Sequence, residues 1–186
     1  MKLIAGALFL IAMFAVYDAI GSSYPGAGNI LTRYAVVLGL SFVAILVHEL
    51  GHAAAVVAVR GRIRTIVVVP FTYRVATGKL KLSWRLRGGE IGGYVAYDLD
   101  RINARSKHAM IALAGPLANA VLAGALLIPL SLSGSSGLLR NLAAALAILS
   151  CGTAIVNLIP FAGSDGSAIL RPLRDKRSRT APDRSI

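Results

Sequence analysis

The chain has 186 residues, is 56% hydrophobic, and carries a formal charge of +12 with a mean hydropathy of +0.69. These values exclude an ordinary soluble domain and point to one compact membrane unit. Its one cysteine, Cys151, excludes an internal disulfide, and the basic residues fall between apolar runs, as cytoplasmic loops on anionic lipid do, so nucleic acid is not the expected partner.

Behind Lys2, residues 3–20 are apolar and predict a first transmembrane helix over 1–20. A retained span is preferred to a cleaved signal peptide, because the run is long and no small-x-small cleavage site follows it. Asp18 is expected near the far interface. Residues 21–32 are uncharged and rich in turn formers, a short loop. Residues 34–59 predict a second span, flanked by Arg33 and Arg60.

That span contains HELGH at 48–52. Lipid tolerates ionisable groups poorly, so such a cluster marks a functional site. Histidines four apart on a helix project from one face. This is the H-E-x-x-H arrangement, in which His48 and His52 bind zinc and Glu49 handles protons beside the metal. Two histidines merely lining a helix contact would leave Glu49 unexplained.

Residues 61–106 predict a β-rich cytoplasmic insertion, and 61–107 hold ten of the twenty basic residues. Residues 65–75, rich in β-branched and aromatic types, predict a strand, and 76–78 a turn. Residues 79–87 alternate, with Leu80, Leu82, Trp84 and Leu86 on one side and basic residues on the other, which predicts a half-buried strand with its basic side toward headgroups. The glycines of 87–98 leave a strand edge open.

Residues 108–132 predict a third span. Within it Gly115 and Pro116 predict a local break, and Asn119 is a buried polar group in need of a partner. Residues 133–137 form a loop and 141–159 a fourth span. Residues 171–186 are a basic tail expected to be disordered. With the N-terminus in the cytoplasm, four spans return the C-terminus there and place eighteen of twenty basic residues inside, as the positive-inside rule requires.

A catalytic zinc needs a third protein ligand and an open position. His108 sits at the mouth of a span and Cys151 near mid-span. Asp165 fits better, in an irregular stretch after Pro160 ends the fourth helix. The competing reading makes Asp165 the N-cap of a helix over 167–173.

HELGH at 48–52, AGPLAN at 114–119 and N-x-x-P-x-x-x-x-D-G at 157–166 resemble the site-2 protease family of intramembrane zinc metalloproteases. IGGYV at 91–95 is similar to a short segment of its bacterial members. The resemblance spans about residues 34–170, with a catalytic membrane domain over 33–170. It implies one Zn²⁺ held by His48, His52 and Asp165, with Glu49 as catalytic acid and base and Asn157 close to the substrate backbone or oxyanion. Asn119, Gly92, Gly93 and Tyr94 are the candidates for substrate contact. Ser164 departs from the family, which usually has an apolar residue there, and no PDZ or CBS domain is expected.

The expected fold is thus an α-helical integral membrane protein with four transmembrane helices, a three-helix catalytic core plus the N-terminal helix, and a small membrane-associated β-hairpin or sheet. The expected function is intramembrane cleavage of a single-pass membrane protein, in a bacterial plasma membrane. The alternatives are a non-catalytic zinc-binding scaffold and, less favoured because spans one and three have almost no mid-depth polar groups, a metal transporter.

Overall fold

A computed structural model of the chain describes residues 7, 10, 11, 13–18, 29–82, 92–132 and 137–171. Three helices frame it: α1 (Ile30–Ala58), α2 (Ala104–Leu132) and α3 (Leu138–Leu158). Each is long and apolar enough to cross a membrane, and each packs against the other two. Leu38, Val57, Leu117, Val121 and Ile155 stand exposed on their outer faces. A helix apolar all round is suited to lipid, not water.

The helices start earlier than expected, for local reasons. Asn29 Oδ1 accepts from the Leu31 N–H at 3.0 Å, so α1 begins at Ile30 and not at residue 34. α2 begins at Ala104, just after Asn103 turns the chain at φ 54°, and not at His108. The break predicted at Gly115 and Pro116 does not occur, since α2 runs through both. Proline withholds only its own N–H, and here Gly115 packs directly against α1 while Pro116 is fully buried. Of the expected first span, only residues 7, 10, 11 and 13–18 are described, all helical. Among them Val16 is fully buried against Val37, Ala44, Ala145 and Leu149. Three candidate spans therefore stand among the described residues. The fourth rests mostly on residues outside them, as does the tail over 172–186.

Between α1 and α2 lies a four-stranded antiparallel sheet: β1 (Arg62–Val68), β2 (Phe71–Arg74), β3 (Lys79–Leu82) and β4 (Gly93–Asp98), in the order β3-β2-β1-β4. The single strand expected over 65–75 is in fact two. Pro70 has no N–H to continue the ladder, and the chain reverses there, pairing Val68 with Phe71 and Thr65 with Arg74. Gly78, at φ 58°, makes the next reversal. In the β2–β3 hairpin Phe71 pairs with Leu82 and Tyr73 with Leu80, while Thr72 pairs with Lys81 and Arg74 with Lys79. Directly opposed residues share a face. One face is therefore apolar and the other mostly basic, the alternation expected for 79–82, but all four residues of β3 are exposed, so the half-burial expected of this strand is not met within the protein itself. The rest of that pattern, with Trp84 and Leu86, lies outside the described residues.

The sheet folds back along α1. Phe42 meets Phe71 edge-on at 5.8 Å, six residues before His48, and therefore about 9 Å along the helix from it. This brings the start of β4 alongside the middle of α1. Among the described residues β4 is an edge strand.

Candidate metal centre

His48 and His52 are one turn apart on α1, 4% and 9% exposed, with ring centroids 4.6 Å apart. Glu49 lies between them in sequence and is 5% exposed. His52 Nδ1 lies 2.7 Å from the Ile111 carbonyl oxygen of α2. A carbonyl only accepts, so Nδ1 carries the proton and Nε2 of the neutral ring turns a lone pair inward. That Nε2 is 3.0 Å from His48 Nε2.

Asp165 closes the group. Its Oδ2 is 3.0 Å from His48 Nε2 and its Oδ1 3.4 Å from His52 Nε2. One ligand atom from each residue lies within 4.8 Å of the others. Burial alone would raise the Asp165 carboxyl, but the His48 hydrogen bond and the nearby His52 ring outweigh it and hold the group below the usual carboxylate range. Two imidazoles and a carboxylate are a donor set suited to Zn²⁺, and three protein ligands leave a fourth position open.

Gly115 of α2 makes room for this cluster. A side chain there would collide with His52 Nε2 and stand 2.8 Å from His48 Nε2. Only a residue without Cβ lets α2 approach the imidazoles this closely.

The placement of Asp165 rests on Ser164. α3 ends at Leu158, and Pro160 prevents its continuation. The buried Ser164 Oγ accepts from the Phe161 N–H at 3.1 Å and from the Ser167 N–H at 3.2 Å, and lies 2.7 Å from the Ile159 carbonyl oxygen. It is the N-cap of the short helix over 165–171. The competing N-cap reading of Asp165 is thereby corrected: the neighbouring serine does the capping, and the carboxylate faces the imidazoles.

A cavity of about 540 Å³ opens over the cluster, lined in part by Glu49, Gly93, Tyr94, Val95 and Asn157. Gly93 is buried against Glu49, and a Cβ on it would stand 2.8 Å from Glu49 Oε1. The Asn157 amide donates to the Thr153 carbonyl at 3.0 Å. Of the other residues expected to touch substrate, Gly92 packs on Ile45 and Asn119 is fully buried behind His48; neither lines the cavity.

The other two ligand candidates fall away. His108 Nδ1 lies 2.8 Å from the Tyr97 hydroxyl, and neither His108 nor the partly buried Cys151 belongs to the donor cluster. The Tyr97 phenol is pushed up by its burial and stays protonated near neutral pH. Sequence reasoning missed Gly115 as the cradle, Ser164 as the cap and the Ile111 carbonyl as the His52 partner. The signal for two of these was present: Ile111, Gly115 and Asn119 recur at four-residue spacing and share a face of α2.

No curated protein and no solved structure matches the chain. A family model, peptidase family M50, matches residues 35–145. The match takes in His48, Glu49, His52, Gly93, Gly115 and Asn119, and stops before Asn157 and Asp165, whose place at the site is given by geometry alone. With well over half of its length matched, carrying apolar helices and a buried cluster able to hold a metal, the chain belongs to peptidase family M50, the site-2 protease family of membrane metalloproteases.

Proposed function

We propose that the protein is an intramembrane zinc metalloendopeptidase that cleaves a single-pass membrane protein within or beside its transmembrane segment. The observation carrying this reading is the meeting of His48 and His52 with Asp165, 117 residues away from His48 in sequence, beside a buried glutamate. His48, His52 and Asp165 would hold the zinc. When bound, the ion supplies a Lewis acid that makes water nucleophilic at neutral pH and polarises the scissile carbonyl.

Glu49 takes the proton from the attacking water and delivers it to the leaving amine. Glu49 packs against Gly93 and lines the cavity together with His48 and His52, which keeps its carboxylate beside the metal ligands. Asn157, on the cavity wall, donates a hydrogen bond to the developing oxyanion with the amide hydrogen not spent on Thr153.

A helical substrate hides its peptide bonds and must unwind. β4 offers the unwound backbone a partner. Val69 N–H donates to the Gly92 carbonyl, so the alternation of an antiparallel ladder turns the backbone groups of Gly93 and Val95 away from β1, toward the open edge. An extended segment adds to that edge as a fifth strand. The cleaved bond lies toward the cytoplasmic half of a bacterial plasma membrane, and both termini are cytoplasmic, as the distribution of basic residues supports.

The test is Glu49→Gln in protein reconstituted with a single-pass reporter. Zinc content should stay at one ion per chain while cleavage falls by at least 10²-fold, within the range for loss of a general base. Cleavage unaffected by this change would refute the assignment and favour a zinc-binding scaffold.

A further inference from the structure

We propose that Asn119 is a positioning residue for metal binding, its amide turning over to hold His48 in the tautomer that presents Nε2 to the ion. The inference deepens the metal-centre reading and rests on it. Asn119 is fully buried on α2, one turn beyond Gly115. Its Nδ2 lies 3.4 Å from His48 Nδ1, and its Oδ1 has no hydrogen-bond partner. A buried amide oxygen left without a donor costs free energy and calls for a physical reason.

The two imidazoles differ in what they face. His52 Nδ1 faces a backbone carbonyl, which fixes one tautomer. His48 Nδ1 faces a carboxamide, which offers either a donor or an acceptor. With Nδ2 toward the ring, the amide donates, His48 Nδ1 is the lone pair, and the His48 proton sits on Nε2, within 3.0 Å of the Asp165 carboxylate. That tautomer satisfies the metal-free cluster but blocks the nitrogen the ion needs. To coordinate through Nε2, the neutral ring gives up that proton and takes one on Nδ1, so its net proton count is unchanged. The new Nδ1–H then needs an acceptor. A half-turn of the Asn119 amide supplies one, bringing the partnerless Oδ1 to the place of Nδ2 with no backbone movement. α2 would then give both imidazoles the same support, an oxygen accepting from Nδ1–H: the Ile111 carbonyl for His52 and the Asn119 amide for His48. Such outer partners commonly govern affinity by 10–100-fold.

The experiment is zinc affinity of the detergent-purified full chain, by competition with a chromogenic chelator, for wild type, Asn119→Leu and Asn119→Asp. Leucine keeps the volume and removes the acceptor; aspartate keeps the acceptor and cannot donate. Leucine should weaken zinc binding about 10–100-fold while the metal-free protein melts no lower, and aspartate should stay close to wild type. A residue that only glued helices together would give the reverse order, with aspartate the more damaging. A measurement on the unaltered protein stands apart from folding effects: ¹⁵N spectra of histidine-labelled chain should show the His48 proton on Nε2 without metal and on Nδ1 with zinc. Leucine and wild type binding equally, or a His48 proton that does not move, overturns the inference and leaves the metal centre standing. A wild-type chain that takes up no zinc removes the metal centre and the inference together.

Discussion

Gly115 is where α2 touches both imidazoles, and Gly115→Ala adds one methyl at that point. The methyl would stand 2.8 Å from His48 Nε2 and nearer still to His52 Nε2. Non-bonded heavy atoms are comfortable at about 3.5–4.0 Å, so both rings must turn aside. A side chain driven about 30° off its rotamer costs roughly 0.5–1.5 kcal/mol. Without metal the rings can settle in another rotamer, so roughly 1–3 kcal/mol for the two falls on binding, when they are brought back against the methyl, and at 1.4 kcal/mol per tenfold weakens zinc binding by roughly 5–150-fold. Alanine is favoured over glycine inside a helix by about 1 kcal/mol, so the metal-free fold should not suffer from propensity. The expected signature is lost zinc on a preserved fold. Chelator competition reads the first, and thermal melting of the metal-free protein by circular dichroism reads the second. Gly51→Ala is the contrast, because its methyl would stand 2.6 Å from the Ala114 carbonyl oxygen, so it should lower the melting temperature first. Gly115→Ala protein that binds zinc as tightly as wild type would refute the reasoning, since the cluster would then not border the position of the ion.

Ser164→Ala removes an N-cap and should cost about 0.5–2 kcal/mol of stability, read by thermal melting, together with a fall in zinc affinity as Asp165 loses its fixed entry. Val95→Pro removes an outward N–H on β4 at a position where an edge strand tolerates proline, and cleavage of the reporter should fall while zinc content holds. Val95 is a sharper probe of strand addition than Gly93, because any side chain at Gly93 would press on Glu49 and confuse the two effects.

Most of the helical frame was legible in the sequence, because lipid imposes one rule on long apolar runs. The errors lie where local hydrogen bonds outvote the hydropathy pattern. Asn29 starts α1 early by capping it. Residues 65–75 are uniformly strand-like in composition, yet Pro70 falls where the ladder must end, so one predicted strand is two. The break predicted at Pro116 fails for the opposite reason: neighbouring helices keep α2 intact around a missing N–H.

The site divides along a different line. The clustering of His48, Glu49 and His52 was readable because it depends only on spacing within one helix. The place of Asp165 depends on a turn, and a turn is specified by particular donors and acceptors that composition does not reveal. At residue 164 a serine caps the next helix and ties back to the end of α3. That cap is part of what aims the carboxylate. The same limit applies to Asn119. Its burial was predictable from a polar residue in an apolar span, but not what it faces. That depends on α2 lying close enough to α1 for an amide to reach His48 Nδ1, and Gly115, one turn away, is what permits the approach. The glycine and the asparagine of one short motif thus act on the same imidazole, one by leaving space and the other by filling it with a reversible hydrogen-bonding group.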